Sequence, residues 1–342
     1  MKAKTLPFFL YIIVISFSIS AKESFSISNT NSGLQTVRDQ TGFFYHGDTK
    51  ALKIYDEKFL SLSHRDFGAY SPLKVESTGF GKTQKDSVYF FETNNLYVPI
   101  EAGIIEAKNG VTKFLNNDYL ILNIGAAFDL IGLKTYKNTY SFGVEFFTFS
   151  NLRSEDNFKF PVDAIDYLFG VTFNLKRKLT QKNTLTSRLR VSHISSHFED
   201  GHIYENTDTI FTPVVYSKEF LELNVMSDYL FTKDLSLKSM LGINYIFSHI
   251  PAEISPVSGQ FGLELRYYFT DYLSLYMSNE NDLTTVNSKT NLNESFESGI
   301  SFGKRNSRSL LLYFDYYDGQ DYKGQYYGGY LNYTGLGMRF KF

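Results

Sequence analysis

Residues 235–247 read Leu235-Ser236-Leu237-Lys238-Ser239-Met240-Leu241-Gly242-Ile243-Asn244-Tyr245-Ile246-Phe247. The odd positions Leu235, Leu237, Leu241, Ile243, Tyr245 and Phe247 are apolar, while the even ones include Ser236, Lys238, Gly242 and Asn244. Alternation with period two marks a strand with one apolar and one wet face. The next stretch repeats it, with Phe261, Leu263, Leu265, Tyr267 and Phe269 on one face and Gln260, Glu264 and Arg266 on the other. Leu221, Leu223 and Val225 oppose Glu222 and Asn224; Leu310, Leu312, Phe314 and Tyr316 oppose Tyr313 and Asp315. A slip of one residue would carry these charges onto the apolar side, so each register is well specified.

Segments of this kind recur at 95–108, 120–133, 140–153, 162–178, 185–199, 214–230, 235–250, 258–270, 272–285, 294–304, 308–319 and 328–342. They predict an all-β fold, an antiparallel transmembrane β-barrel of about 12 strands over residues 91–342. Beyond the N-terminus, no apolar run approaches the roughly 20 residues of a membrane helix; the best, 119–132, contains Asn123 and Asp129. Tight connections at 231–234, 269–272 and 303–308 alternate with longer polar ones at 109–119, 200–213, 286–293 and 319–327. Short periplasmic turns and long outer loops are the asymmetry of outer-membrane barrels. With the C-terminus in the periplasm, every tight turn falls on that side. The chain ends with Tyr330, Leu336, Met338, Phe340 and Phe342 on one parity and Arg339 and Lys341 on the other. A last strand stopping at Phe342 resembles the signal read by the outer-membrane assembly machinery, which makes that machinery an expected partner.

Composition agrees with this reading. The chain holds 33 Phe and 26 Tyr but no Trp, and a membrane barrel needs aromatics outside as well as inside, in girdles at both interfaces. Lys2 and Lys4, an apolar stretch at 6–15, then Ser16, Ser18, Ser20 and Ala21 follow the order of a cleaved export signal over residues 1–21. The mature chain is expected to begin near Lys22. There is no cysteine, which excludes disulfides, thiolate chemistry and a lipid-modified N-terminal cysteine. The net charge of -2 gives no basic excess to neutralise phosphates, so nucleic acid is not an expected partner. Residues 22–90 are polar and weakly periodic, with aromatic islands at Phe43-Phe44-Tyr45 and Tyr89-Phe90-Phe91. They read as a periplasmic extension; a further strand pair there would raise the count to 14.

The stretch Arg188-Leu189-Arg190-Val191-Ser192-His193-Ile194-Ser195-Ser196-His197-Phe198-Glu199-Asp200 resembles the His-x-Ser-Ser-His-Leu-Gly-Asp-Glu block of a bacterial family catalogued as domain of unknown function 1207. Val162-Asp163-Ala164-Ile165-Asp166-Tyr167 is similar to its segment before that block. Tyr316-Tyr317-Asp318-Gly319-Gln320, Gly324-Gln325-Tyr326-Tyr327 and Tyr333-Thr334-Gly335-Leu336-Gly337 are similar to its C-terminal end. Phe198 and Glu199 stand where the block has Leu and Gly. The resemblance covers roughly residues 90–342. It implies an outer-membrane barrel and carries no established activity.

His193 and Ser195, two residues apart on a strand, share a face. If Arg188 and Arg190 point into the lumen, then Leu189, Val191, His193, Ser195 and His197 face lipid near the outer rim. This arrangement resembles that of outer-membrane phospholipase A and the lipid A deacylase, in which a His serves as base to a Ser that attacks an acyl ester. A third residue would orient the His; Glu219 and Glu205 are the candidates. Against this, polar rim residues are also simply interfacial, and a bulge would turn the triplet inward. His197 and His202 near Glu199 and Asp200 read as a solvated loop, so no metal or cofactor is expected. Arg188, Arg190, Glu222, Lys238, Glu264 and Arg266, with Asp228 and Asp315, belong in the lumen. Their mixed signs suggest salt-bridged packing, without the one-sign ring of a selective pore. Three functions therefore stand open: a structural or interaction barrel in contact with membrane lipids, a lipid ester hydrolase centred on His193, Ser195 and Glu219, and a small-solute channel.

Overall fold

The computed structural model describes residues 36–38, 44–46, 86–91, 94–198 and 214–342. The expected signal 1–21, most of the extension 22–90, and Glu199, Asp200, His202 and Glu205 lie outside the described residues. Two short strands, β1 (Thr36–Arg38) and β2 (Phe44–His46), pair antiparallel with Thr36 opposite His46.

The barrel is a separate unit. After β3 (Ser87–Phe90) come β4 (Asn109–Phe114), β5 (Tyr119–Lys134), β6 (Asn138–Arg153), β7 (Val162–Lys178), β8 (Asn183–Phe198), β9 (Tyr216–Leu230) and β10 (Leu235–Ile250). They are followed by β11 (Val257–Thr270), β12 (Leu273–Val286), β13 (Lys289–Gly303), β14 (Ser309–Gln320) and β15 (Tyr330–Lys341). Each strand from β4 to β15 pairs antiparallel with its neighbours in sequence, and β15 returns to β4 with Phe340 opposite Asn109. The result is a closed antiparallel barrel of 12 strands with no free edge.

Period two decides what lies outside. On β10, Leu241, Ile243 and Tyr245 are exposed, and their cross-strand neighbours Val225, Leu223 and Leu221 continue the same outer face. Phe261, Leu263, Leu265, Tyr267 and Met277 extend it over β11 and β12. The ten residue steps from Leu235 to Tyr245 cover roughly 25 Å of depth for a strand rising ~3.3 Å per residue and tilted by about 40°. Exposed Tyr140, Tyr229, Tyr267 and Tyr272 gird one end of this band. Such a surface fits lipid on the outside of an outer-membrane-type barrel.

The first expected strand is corrected. Residues 95–108 leave the wall and cross the lumen, and the first wall strand is β4, inside the expected loop 109–119. Tyr97, Ile100, Glu101 and Ala102 are buried there. Pro99 lacks the N–H that a central strand must donate, so this segment is better satisfied by side chains than by a ladder. The Glu101 N–H donates to Glu264 Oε2 at 2.7 Å, Ala102 N–H to Ser278 Oγ at 3.0 Å, and Ile104 N–H to Glu280 Oε1 at 2.9 Å. Ser295 Oγ donates to the Ala102 carbonyl at 2.9 Å.

Where the chain departs, the edge of β5 would be left unpaired. Two asparagine side chains replace the missing strand. Asn109 Nδ2 donates to the Gly125 carbonyl at 2.6 Å while its Oδ1 accepts from Gly125 N–H at 3.0 Å. Asn95 does the same with the Ala127 carbonyl, at 2.6 Å, and Asp129 N–H, at 3.1 Å. Below them β3 pairs with Lys134 to Ile131 of β5 without adding a position to the wall.

One expected loop is also corrected. The connection at 286–293 is a two-residue turn, Asn287-Ser288, with both φ angles positive at 51° and 61°. That is the hairpin turn whose twist matches its strands. Pairing continues through Thr284↔Asn291 and Val286↔Lys289, so this hairpin stands above the apolar band.

Candidate functional site

On β8, Thr186, Arg188, Arg190, Ser192, Ile194 and Ser196 are buried. The alternate residues Leu189, Val191, His193, Ser195 and His197 lie on the outer face. His193 stands one outward position beyond Val191, at the end of the barrel that carries the longer loops. Antiparallel register places Phe169 of β7 on one side of it and Glu219 of β9 on the other. Its ring lies against the Phe169 ring, with centroids 4.8 Å apart. Its Nδ1 is 2.8 Å from Glu219 Oε1, and Ser217 Oγ donates to the same oxygen at 3.3 Å. The two side chains are 27% and 32% exposed, so the pair is open to an approaching ligand.

A carboxylate on Nδ1 fixes the neutral imidazole as the Nδ1–H tautomer and leaves the Nε2 lone pair free to accept a proton. Ser195 sits on the same face, roughly 6.6 Å further along the strand, directly between Tyr167 and Ser217. An imidazole, a carboxylate against its Nδ1 and a hydroxyl thus share one outward patch. His197 lies beyond, opposite Ile165, with its ring edge-on to Tyr167 at 5.9 Å. Among the described residues, no three His, Asp or Glu side chains converge as metal ligands.

The charged residues named from sequence lie around the segment that crosses the lumen. Arg188 grips Glu106 through both terminal nitrogens, at 2.8 and 2.5 Å, and also meets Glu222 at 2.9 Å. Arg190 donates to Glu222 at 2.5 Å and to the Ile105 carbonyl at 2.9 Å. Lys238 reaches the Val98 and Pro99 carbonyls, both at 3.3 Å. Arg266 joins Glu101 at 2.7 Å to Glu264 at 3.0 Å. Sequence reasoning missed Glu101 and Glu106 because it placed them in the wall; Pro99 was the available signal.

A second closure covers the long-loop mouth. The turn Gly324–Tyr326 dips inward, where Gly324 N–H donates to Asp166 at 2.8 Å and Gln325 Nε2 to the Ser196 carbonyl at 2.8 Å. Tyr326 Oη donates to Asp163 at 2.5 Å. A Cβ on Gly324 would lie 2.3 Å from the Tyr216 ring, so only glycine permits this approach.

A family model described as "Protein of unknown function (DUF1207)" matches residues 159–342. No curated protein matches the chain. Among solved structures it is similar to the beta domain of the Bordetella autotransporter BrkA, at 10% identity over 69% of this chain and 100% of that one, with a TM-score of 0.40. OmpT, an outer membrane protein of Vibrio cholerae, matches at 9% identity over 75% and 99% of the two chains, with a TM-score of 0.37. A Pseudomonas aeruginosa FadL homologue matches at 13% over 65% and 67%, with a TM-score of 0.36. At such scores the barrel rests on its own closed sheet and outward apolar band.

Proposed function

The chain belongs to the DUF1207 family, whose description assigns no activity, and from that premise we propose that this outer-membrane barrel hydrolyses acyl esters of membrane lipids at its long-loop rim. The observation that carries the reading is the 2.8 Å contact of Glu219 with His193 Nδ1 on the lipid face, with Ser195 two residues along. In the reaction, His193 Nε2 takes the Ser195 hydroxyl proton as Oγ bonds to the acyl carbonyl carbon. The carbon–oxygen bond to the lipid alcohol then breaks, and His193 returns the proton to the leaving alkoxide. Water, deprotonated by the same imidazole, splits the acyl-serine and frees a fatty acid and Ser195. Glu219 holds the ring and stabilises it while it carries the second proton.

In this reading the protein sits in the outer membrane, with the turns at 135–137, 179–182, 231–234, 271–272 and 304–308 in the periplasm and the site among outer-leaflet lipids, delivered there by the assembly machinery through the strand ending at Phe342. A channel is less well supported, because residues 95–108 occupy the lumen. The test is fatty-acid release from phospholipid in mixed micelles by purified protein that still migrates faster unheated than heated. Release is expected from the wild type and none from Ser195→Ala. No release from the wild type, or undiminished release from Ser195→Ala, overturns the proposal.

A further inference from the structure

The tight-turn end of the barrel is basic. Its turns contribute Lys137, Lys182, Lys233, Lys304, Arg305 and Arg308, against the carboxylates Asp234 and Asp271. The described residues of the opposite loops reverse the balance, with Asp118, Glu155, Asp156, Glu253 and Asp321 against Lys159 and Lys323. A device for general solubility would not be sorted by end.

The cations are also placed by depth. The outward file of β7 runs Phe169, Val171, Phe173, Leu175 and ends in Arg177. The file of β14 runs Phe314, Leu312, Leu310, and Arg308 follows one step beyond the strand. Each apolar file is therefore closed by a guanidinium at the level of the Tyr140 and Tyr267 girdle, where headgroup phosphates lie. The turns between are joined into one surface. Lys182 Nζ donates to the Phe231 carbonyl at 3.4 Å, and Arg305 Nη1 to the Lys233 carbonyl at 2.5 Å. Arg305 also stacks on the Tyr268 ring at 3.9 Å, which holds that charge in place.

We propose that this end is a binding belt for the anionic phosphodiester headgroups of the adjacent membrane leaflet. Cations on four of the five turns at this end fit a lipid annulus better than a single protein partner, and Arg177 and Arg308 lie on the lipid face itself. The inference rests on the barrel spanning a membrane and is independent of ester hydrolysis, so the test uses the Ser195→Ala protein. That protein is reconstituted in phosphatidylcholine vesicles carrying spin-labelled phosphatidylglycerol or spin-labelled phosphatidylcholine, and the motionally restricted fraction is compared. A preference for the anionic label of roughly threefold is expected, falling toward one in high salt as screening removes it. Substituting Gln at Arg177, Lys182, Lys233, Lys304 and Arg308 together should abolish it in protein that keeps its heat-modifiable migration. Equal binding of both labels, or a preference indifferent to salt, overturns the proposal. Absence of lipid preference with cosedimentation on peptidoglycan would assign the belt to an acidic wall polymer instead.

Discussion

Glu101, in the segment that crosses the lumen, accepts a hydrogen bond from Arg339 of the last wall strand at 2.9 Å. The same carboxylate meets Arg266 at 2.7 Å and Lys341 at 2.6 Å. One acid therefore ties β11 and β15 to the chain between β3 and β4. Both Glu101 and Arg339 are nearly inaccessible, so removing the acid strands buried cations instead of returning them to water.

Glu101→Gln should accordingly destabilise the barrel by about 3–5 kcal/mol, the cost of breaking a buried ion pair from one side. The temperature at which the compact unheated gel band converts to the slow one should fall. Glu253→Gln, on a long-end loop, should shift it by less than about 0.5 kcal/mol equivalent. Equal behaviour of the two would remove Glu101 from its structural role.

The lumen should not conduct. Residues 95–108 are hydrogen-bonded to the wall through Glu264, Ser278, Glu280 and Ser295, and the turn Gly324–Tyr326 covers the mouth. Wild-type protein in a planar bilayer should stay at baseline. Arg188→Ala combined with Lys238→Ala removes both guanidinium hydrogen bonds to Glu106 and those to the Val98 and Pro99 carbonyls, and should produce intermittent openings. Steady steps from the wild type would contradict the closure.

The wall was legible because a strand buried on one face leaves period two in the sequence, and a charge such as Lys238 or Glu222 pins its register. The crossing segment left no such mark. Leu96, Val98, Ile100, Ala102 and Ile104 fall on alternate positions and so imitate a strand, although the segment lies in the lumen. Asn109-Gly110 resembles a turn, whereas the Asn109 amide serves as a substitute strand. The turn at Asn287-Ser288 was hidden because it lacks the glycine that usually marks positive φ. For the site, periodicity speaks of faces only. Whether a carboxylate meets His193 depends on the offset between β8 and β9, and neither strand alone fixes that offset. The three stretches resembling the DUF1207 pattern are distant in sequence, and their shared cause is spatial: Asp163, Asp166, Ser196, Gln325 and Tyr326 form one latch under the long-loop mouth.

The asparagine substitutes make a sharp prediction about the wall. Asn109→Ala deprives Gly125 of both its partners, the amide that donates to its carbonyl and the oxygen that accepts from its N–H. Each unsatisfied group costs about 1–3 kcal/mol, so the urea midpoint of reconstituted protein should drop clearly. Asn116→Ala removes one exposed bond, to the Asn332 carbonyl, and should leave the midpoint nearly unchanged. If the Asn109 variant matched the Asn116 variant, the edge of β5 would have another partner.

Glu219 separates a catalytic patch from a polar rim. If it orients His193, Glu219→Gln preserves size but removes the charge that stabilises the imidazolium and admits the wrong tautomer. Lipid-ester turnover should fall roughly 10²- to 10⁴-fold with KM little changed. Ser217→Ala removes only a 3.3 Å bond to the same carboxylate and should cost far less, while Ser195→Ala should leave no turnover. The two serines face each other across β8 and β9, so their difference identifies the nucleophile. Were Ser217→Ala the inactive variant and Ser195→Ala the active one, the His-x-Ser spacing would be incidental and the nucleophile would lie on β9.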